Sequence, residues 1–331
     1  MFWLNRKRTS ALPFPEGPYA TGCMELMNNY SKESIFLRIF YPTDVPPKDI
    51  KKRSNEWVEW LVDYTYIEAF ASLLNIWLIV IKFLLFFVKK AYIPTLWEEP
   101  VSKKLNKLPV IVFSHGYGAT RFLCSTVCNE LASRGYIVAA IEHKDKSASI
   151  TYYYDSESSR DNDKRTFIHH IPFIVDSVDH YTIRNSQLKK RSEECSAVLN
   201  ILEDMNDGKP VNILKSNIDS KSLKGKIDLS QNVIMGHSFG GATSMYTLSR
   251  DNRFKIGVIL DGWMFPLKGE QLEISQPMLF INTQTFHLEA NIKIMKKYAE
   301  LSQNTLYTMK FGSRRRSDKE LFEITKKQLD E

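Results

Sequence analysis

The chain predicts an α/β fold, a mostly parallel sheet whose strands are joined by crossover helices. Three observations predict it. From Pro109 onward, short apolar runs alternate with segments of helical spacing, the arrangement of parallel strands linked by helices. The strand runs are rich in Val, Ile, Leu and Phe without polar alternation, which suits strands buried on both faces. The pentapeptide Gly236-His-Ser-Phe-Gly240 stands between one such strand run and a helical run, where the chain must turn sharply.

The elements follow in order. Residues 1–18 are punctuated by Pro13, Pro15 and Pro18 and are expected to cover the surface. Ile35–Tyr41 forms a strand that runs into Pro42, and 46–55 is a charged loop. PVIVFS (109–114) is a strand, followed by a helix around 122–133, Gly135 and the strand YIVAAI (136–141). The polar stretch Asp155–Lys164 reads as a surface insertion. Arg184–Met205 carries Leu188, Cys195, Val198, Leu199 and Leu202 at helical spacing. The strand NVIM (232–235) comes next, then a helix from Ala242 and the strands KIGVIL (255–260) and PMLFIN (277–282). A helix over Ala290–Leu301 and the strand TLYTMKF (305–311) close the pattern. There is no internal repeat, and residues 1–331 are expected to form a single domain.

Composition narrows the function only a little. Hydrophobic residues at 43% and charged residues at 25% are ordinary for a globular chain. The net charge of +7 is spread over 45 basic and 38 acidic residues, so it describes a mildly basic surface and not a nucleic-acid-binding tail. A plain solvated surface accounts for it, and a modest preference for anionic membrane surfaces is the functional reading. Cys23, Cys124, Cys128 and Cys195 make no CxxC pair and no zinc spacing, and are expected to be reduced thiols in packing roles. The first residues carry no apolar run before Pro13, and Phe2 excludes the myristoylation motif. The expected location is cytoplasmic, with peripheral attachment to membranes.

Gly236-His-Ser-Phe-Gly240 fits G-x-S-x-G directly after NVIM and before ATSMYTLSR. A serine on such an elbow is exposed at the end of the sheet. Small residues two before and two after it let the backbone close, and the helix N-terminus behind it favours a developing oxyanion. This makes Ser238 the nucleophile of an α/β-hydrolase fold. His237 is its neighbour in the chain, and adjacent side chains on a turn point apart, so His237 is a poor general base. The N–H of Phe239 is the expected first oxyanion donor. The second comes from the turn after PVIV, where Ser114-His-Gly-Tyr-Gly118 places Tyr117. Asp261, closing KIGVIL, is the expected acid, because a carboxylate ending an apolar run needs a partner.

Several blocks carry a family likeness. They are Ser114-His-Gly-Tyr-Gly, Val138-Ala-Ala-Ile-Glu-His-Lys-Asp-Lys-Ser-Ala-Ser, Ile183-Arg-Asn, Gly236-His-Ser-Phe-Gly-Gly-Ala-Thr, Leu260-Asp-Gly-Trp-Met-Phe-Pro-Leu and Gln276-Pro-Met-Leu-Phe-Ile-Asn. With Gly17-Pro-Tyr and Gly22-Cys they resemble the plasma and intracellular type II platelet-activating-factor acetylhydrolases over residues 12–313. The resemblance implies a calcium-independent esterase that removes short or oxidised sn-2 acyl chains from glycerophospholipids, 1-alkyl-2-acetylglycerophosphocholine among them. It implies Ser238 as nucleophile, Asp261 as acid, and Phe239 and Tyr117 as oxyanion donors, with no metal or cofactor. Selectivity for short chains would come from a shallow pocket.

One departure stands out. The family's members follow the last strand with Gly-Ser-x-His, whereas this chain reads Gly312-Ser313-Arg314-Arg315-Arg316 and has no histidine after His287. Arg315 occupies the position of the catalytic histidine, and an arginine stays protonated and cannot act as a base. Residues 314–331 are therefore read as a divergent or truncated C-terminus. The competing reading is a catalytically impaired lipid-binding homologue. His287, shortly after PMLFIN, is the one candidate for a substitute base. His115 and His143 are expected to organise the site or its core, and His169, His170 and His180 to belong to the insertion.

Ala69–Val88 is nearly all apolar and long enough to cross a bilayer. Lys82 interrupts it, and Ser72, Asn75, Lys82 and Lys89 fall on one narrow stripe of a helix. The expectation is a helix lying in the membrane interface, with a spanning helix as the alternative. On that alternative the chain would be a membrane-anchored scaffold.

Overall fold

Ten strands form one sheet in the order β12-β11-β10-β9-β5-β6-β2-β1-β4-β3. The computed structural model describes residues 10–77, 91–172, 179–218, 220–286, 288–301 and 307–311. In chain order the strands are β1 (Thr21–Met27), β2 (Phe36–Pro42), β3 (Trp57–Glu59), β4 (Tyr92–Trp97), β5 (Leu108–Ser114) and β6 (Ile137–Glu142). After them come β9 (Ile227–His237), β10 (Phe254–Leu260), β11 (Met278–Thr283) and β12 (Tyr307–Phe311). All pairings from β6 through β5, β9, β10 and β11 to β12 are parallel. The N-terminal strands extend this run with mixed direction: β2 is antiparallel to β6, β1 antiparallel to β2, and β4 parallel to β1.

The strand runs seen in the sequence are buried on both faces for a visible reason. Side chains alternate along a strand. On β5, Val110 and Val112 join one core cluster while Ile111 and Phe113 join another. The first cluster packs under α4 (His180–Asp207) and α5 (Phe239–Leu248), through Leu188, Cys195, Val198, Leu202, Ala242 and Met245. The second packs under α2 (Ser125–Ser133), through Cys128 and Ala132. All four cysteines are free thiols. Burial pushes the Cys23 and Cys124 thiols up to about 12 and about 11, so both stay protonated and inert.

One expectation is refined and one needs correction. The polar stretch 155–164 is mostly exposed, as expected of a surface insertion. It carries a short helix, α3 (Glu157–Asp161), between β7 (Ile150–Tyr153) and β8 (Thr166–His169), which pair as an antiparallel hairpin. The apolar segment, by contrast, does not begin as one long helix. The helix there, α1 (Tyr64–Leu73), starts earlier, capped by Asp63, and ends at Leu73. Asn75 turns into the left-handed region at φ 55°. Ile76 N–H then returns to Ala71 O and Asn75 N–H to Ser72 O, the paired bonds that close a helix C-terminus. Asn75 therefore lies beyond the helix and not on its polar stripe. Residues 78–88 of the segment, including Lys82, and Lys89 lie outside the described residues. Among the described residues no helix is long and apolar enough to cross a membrane. The last helix, α6 (Glu289–Leu301), precedes β12.

Candidate active site

Strand β9 ends at His237 and helix α5 begins at Phe239, leaving Ser238 to make the whole turn between them. It does so at φ 55°, ψ −114°. A serine in that region is strained by about 1–3 kcal/mol and persists only where its surroundings hold it. They hold it here through both backbone groups: Ser238 N–H donates to Leu260 O at 2.9 Å, while Ser238 O accepts from Gly241 N–H at 3.0 Å and Trp263 N–H at 2.9 Å. The flanking glycines are required by contact. A Cβ at Gly236 would sit 2.1 Å from the Gly240 carbonyl oxygen, and one at Gly240 would sit 1.9 Å from the Ser114 carbonyl oxygen. Phe239 occupies the first helical position, where an N–H has no acceptor within the helix.

The turn after β5 lies against this elbow. A Cβ on Gly116 would meet the Ser238 Cβ at 3.2 Å, so the backbone bearing Tyr117 passes beside the serine. Gly118, at φ +72°, needs glycine, and its N–H donates to Ser147 O at 2.7 Å. The Tyr117 hydroxyl donates to Ile171 O at 2.6 Å, and the Arg184 guanidinium covers its ring at 4.5 Å. Beside Tyr117 opens a cavity of about 680 Å³, with Thr65, Glu68, Leu73, Phe167 and His170 in its wall.

Asp261 follows β10, whose Leu260 is in register with His237 of β9, so the carboxylate and the serine leave neighbouring strand ends. Its backbone is also left-handed, at φ 46°. The N–H donates to Ile281 O at 2.9 Å, and the carboxylate accepts from Thr283, N–H to Oδ1 at 2.5 Å and hydroxyl to Oδ2 at 3.0 Å. Ser238, Asp261, Tyr117 and Phe239 are thus gathered at the carboxyl ends of adjacent parallel strands.

No histidine among the described residues hydrogen-bonds Asp261. His237 is half-buried with its ring against Gly116 and Phe286. Burial depresses its pKa against the opposing pull of Asp261. His170 faces the Tyr117 hydroxyl at 3.1 Å, and His180 stacks on Phe265. His287 and Arg315 lie outside the described residues. Sequence reasoning missed a hydrogen-bonded chain from Ser114 Oγ to His143 Nε2 at 2.8 Å, and from His143 Nδ1 to Glu194 Oε2 at 2.6 Å. Its order is that of a serine-hydrolase triad, yet Ser114 and His143 are wholly buried, so it braces the strand ends and meets no substrate. Burial and the nearby Arg191 charge hold His143 well below the usual imidazole range, and burial pushes Glu194 up to about 7. Among the described residues no group of three His, Cys, Asp or Glu is placed to hold a metal ion.

A family model described as platelet-activating factor acetylhydrolase, isoform II, matches residues 4–329. The chain belongs to that family. It is 37% identical over 294 residues to the platelet-activating factor acetylhydrolase of Cavia porcellus, covering 87% of this chain and 64% of that protein. It is 35% identical over 304 residues to the Gallus gallus protein of the same name, covering 88% and 70%. The chain thus spans a little under two thirds of the Cavia porcellus relative's length. Among solved structures, a ferulic acid esterase from Streptomyces cinnamoneus superposes with a TM-score of 0.60 over 92% of this chain and 76% of that one, at 16% identity. That likeness is one of fold, and with the parallel sheet it establishes an α/β-hydrolase architecture for this member of the acetylhydrolase family.

Proposed function

We propose that the chain hydrolyses the sn-2 ester of glycerophospholipids with short or oxidised acyl chains, without calcium, using Ser238 as nucleophile. One observation carries the reading: Ser238 is held in a strained backbone at the strand-to-helix elbow, with the glycine turn of Tyr117 against it and Asp261 on the next strand end. In the forward step Ser238 Oγ attacks the acyl carbon. The N–H groups of Tyr117 and Phe239 receive the negative oxygen, the proton passes to a base, and the lysophospholipid leaves with a proton returned. Water then releases the short acid. The cavity beside Tyr117 receives one arm of the substrate.

The lipid surface is approached from α1. Leu73 abuts Gly118 of the oxyanion turn, while Leu74, Ile76 and Trp77 beyond it are exposed, Trp77 by 79%. Such a patch beside an ester-cleaving cleft fits contact with a bilayer on the cytoplasmic side. A Lys82→Glu, Lys89→Glu double change is expected to weaken partitioning onto anionic vesicles; unchanged partitioning would remove the electrostatic part of this proposal.

Arg315 favours a second reading, a lipid-binding homologue with little turnover, since its guanidinium cannot take the serine proton. Hydrolysis and vesicle-bound uptake of a short-acyl phospholipid by the wild type and by Ser238→Ala separate the two. Turnover present in the first and absent in the second supports the esterase. Equal uptake with no turnover in either supports the binding protein.

A further inference from the structure

Arg191 is wholly buried in the middle of α4, remote in sequence from the elbow, yet its guanidinium touches both halves of the oxyanion site. Nη1 donates to His115 O at 2.7 Å, and Nη2 lies 3.5 Å from Gly116 O. The guanidinium carbon stands 4.3 Å from the ring centre of Phe239. Nε is anchored from behind by Asp145 Oδ2 at 3.1 Å and Ser147 Oγ at 2.9 Å.

The Gly116 carbonyl is the informative atom. His115 Nδ1 lies 2.7 Å from it, and the His143 N–H donates to His115 Nε2 at 3.2 Å. A backbone N–H can only donate, so Nε2 is the bare nitrogen and Nδ1 carries the proton that goes to Gly116 O. Because Nδ1 is a donor, the 3.3 Å approach of Arg191 Nη2 to it is packing and not a hydrogen bond. Burial and the Arg191 charge keep His115 neutral, consistent with this tautomer. The Gly116 C=O and the Tyr117 N–H belong to one trans peptide and point in opposite directions. Holding the carbonyl inward, on Arg191 and His115, aims the Tyr117 N–H away from the core, toward the side on which Ser238 lies.

We propose that Arg191 is the positioning residue of the oxyanion hole: it fixes the Gly116–Tyr117 peptide plane through the His115 and Gly116 carbonyls and seats Phe239 under its guanidinium. This rests on the esterase reading of Ser238. Its role is one of orientation, since a buried arginine bonded on three sides reaches no substrate. An interaction that acts only on the transition state appears in kcat, whereas general loosening of the pocket appears in KM.

The test follows phosphonylation of Ser238 by a small fluorophosphonate, in which the Oγ–P bond forms as fluoride leaves, together with kcat and KM for p-nitrophenyl acetate. Removing Arg191 alone would strand the Asp145 carboxylate, so the main variant is Arg191→Met with Asp145→Asn; Arg191→Lys keeps the charge but loses the planar fork. The double variant is expected to lose about a hundredfold in kcat and in labelling rate, as for the loss of an oxyanion donor. KM should stay within about threefold, and Arg191→Lys should fall between. A folded double variant that labels and turns over at the wild-type rate overturns the proposal, as does a loss confined to KM. If the double variant does not fold, Arg191→Lys decides, and a wild-type rate in it is fatal. Folded wild type that takes no label at Ser238 overturns the esterase reading itself, and this proposal with it.

Discussion

Thr283 occupies both oxygens of the Asp261 carboxylate, its N–H on Oδ1 and its hydroxyl on Oδ2. The carboxylate of this proposed acid is thereby fixed by the next strand. Asp261→Asn leaves this arrangement intact, because the amide oxygen still accepts from the N–H and the hydroxyl turns round to accept from the amide nitrogen. Esterase turnover in Asp261→Asn is expected within about tenfold of wild type, since an acid with no imidazole to orient has little to contribute; where the histidine is present the loss is about 10⁴-fold. A loss approaching that size, measured on the same short-acyl substrate, would mean that a histidine reaches Asp261 after all.

Gly240 faces the Ser114 carbonyl so closely that a methyl group would have to displace a strand end. Gly240→Ala is expected to cost about 3 kcal/mol, the upper part of the range for inserting atoms into a packed interior, and to abolish labelling of Ser238 by opening the elbow. Urea unfolding and fluorophosphonate labelling together check this. A variant of wild-type stability would show that the elbow closes by some other contact.

The buried histidines give a pH signature. His115 and His143 have folded pKa values depressed well below 6.5, so the stability they hold is present above 6.5 and is lost as pH falls below it. Glu194 acts in the opposite sense: raised from 4.5 to about 7, it contributes stability below 4.5 that fades as pH rises through about 7. Between pH 4.5 and 6.5 two imidazoles oppose one carboxyl, so the histidines set the direction of the pH dependence. Unfolding free energy should fall as pH falls through that window. Glu194→Gln removes the opposing group and should steepen the fall. Stability that stays flat from pH 7 to 5 in urea titrations would count against neutral, buried imidazoles.

The parallel strands and the elbow were legible because their signals are local: an uninterrupted apolar run, and glycines at fixed distances from a serine. What was not legible depends on distant contacts. Strand β4 contains Pro94, which argues against a strand, yet Pro94 falls where the β3–β4 register skips from Val58–Ile93 to Trp57–Leu96. The end of α1 hung on Asn75, whose left-handed turn the apolar run concealed. Arg191 reads as a solvated charge by itself. A signal was nonetheless present, since Arg184 and Arg191 stand at the same spacing as Leu188, Cys195, Val198 and Leu202, on the buried stripe of α4. Charges on an apolar stripe are expensive unless paired, and here the partners are the turn at 115–117 and the segments 145–147 and 171–172 beside it.

The last prediction concerns residue 315, the proposed position of the base. Phe311, at the end of β12, is in parallel register with Thr283, the residue that binds Asp261. β12 therefore ends beside the strand whose Thr283 holds Asp261, and residue 315 comes four positions later in the sequence, a length of chain of at most about 14 Å. A histidine at that position is proposed to serve as the base, whereas an arginine, always protonated, accepts nothing from a serine hydroxyl. Arg315→His is expected to raise hydrolysis of a short-acyl phospholipid above the wild-type rate, without restoring it fully. A base must come within about 2.6–3.2 Å of the hydroxyl, and a misplacement near 1 Å costs about a hundredfold, so the sequence around residue 315 limits the gain. The comparison is among the wild type, Arg315→His, and Arg315→His with Ser238→Ala. A gain confined to the second protein identifies residue 315 as the vacant base position. Three equal rates would leave the arginine exonerated, and the competing reading of a lipid-binding homologue would then account for the chain without a lost proton acceptor at this place.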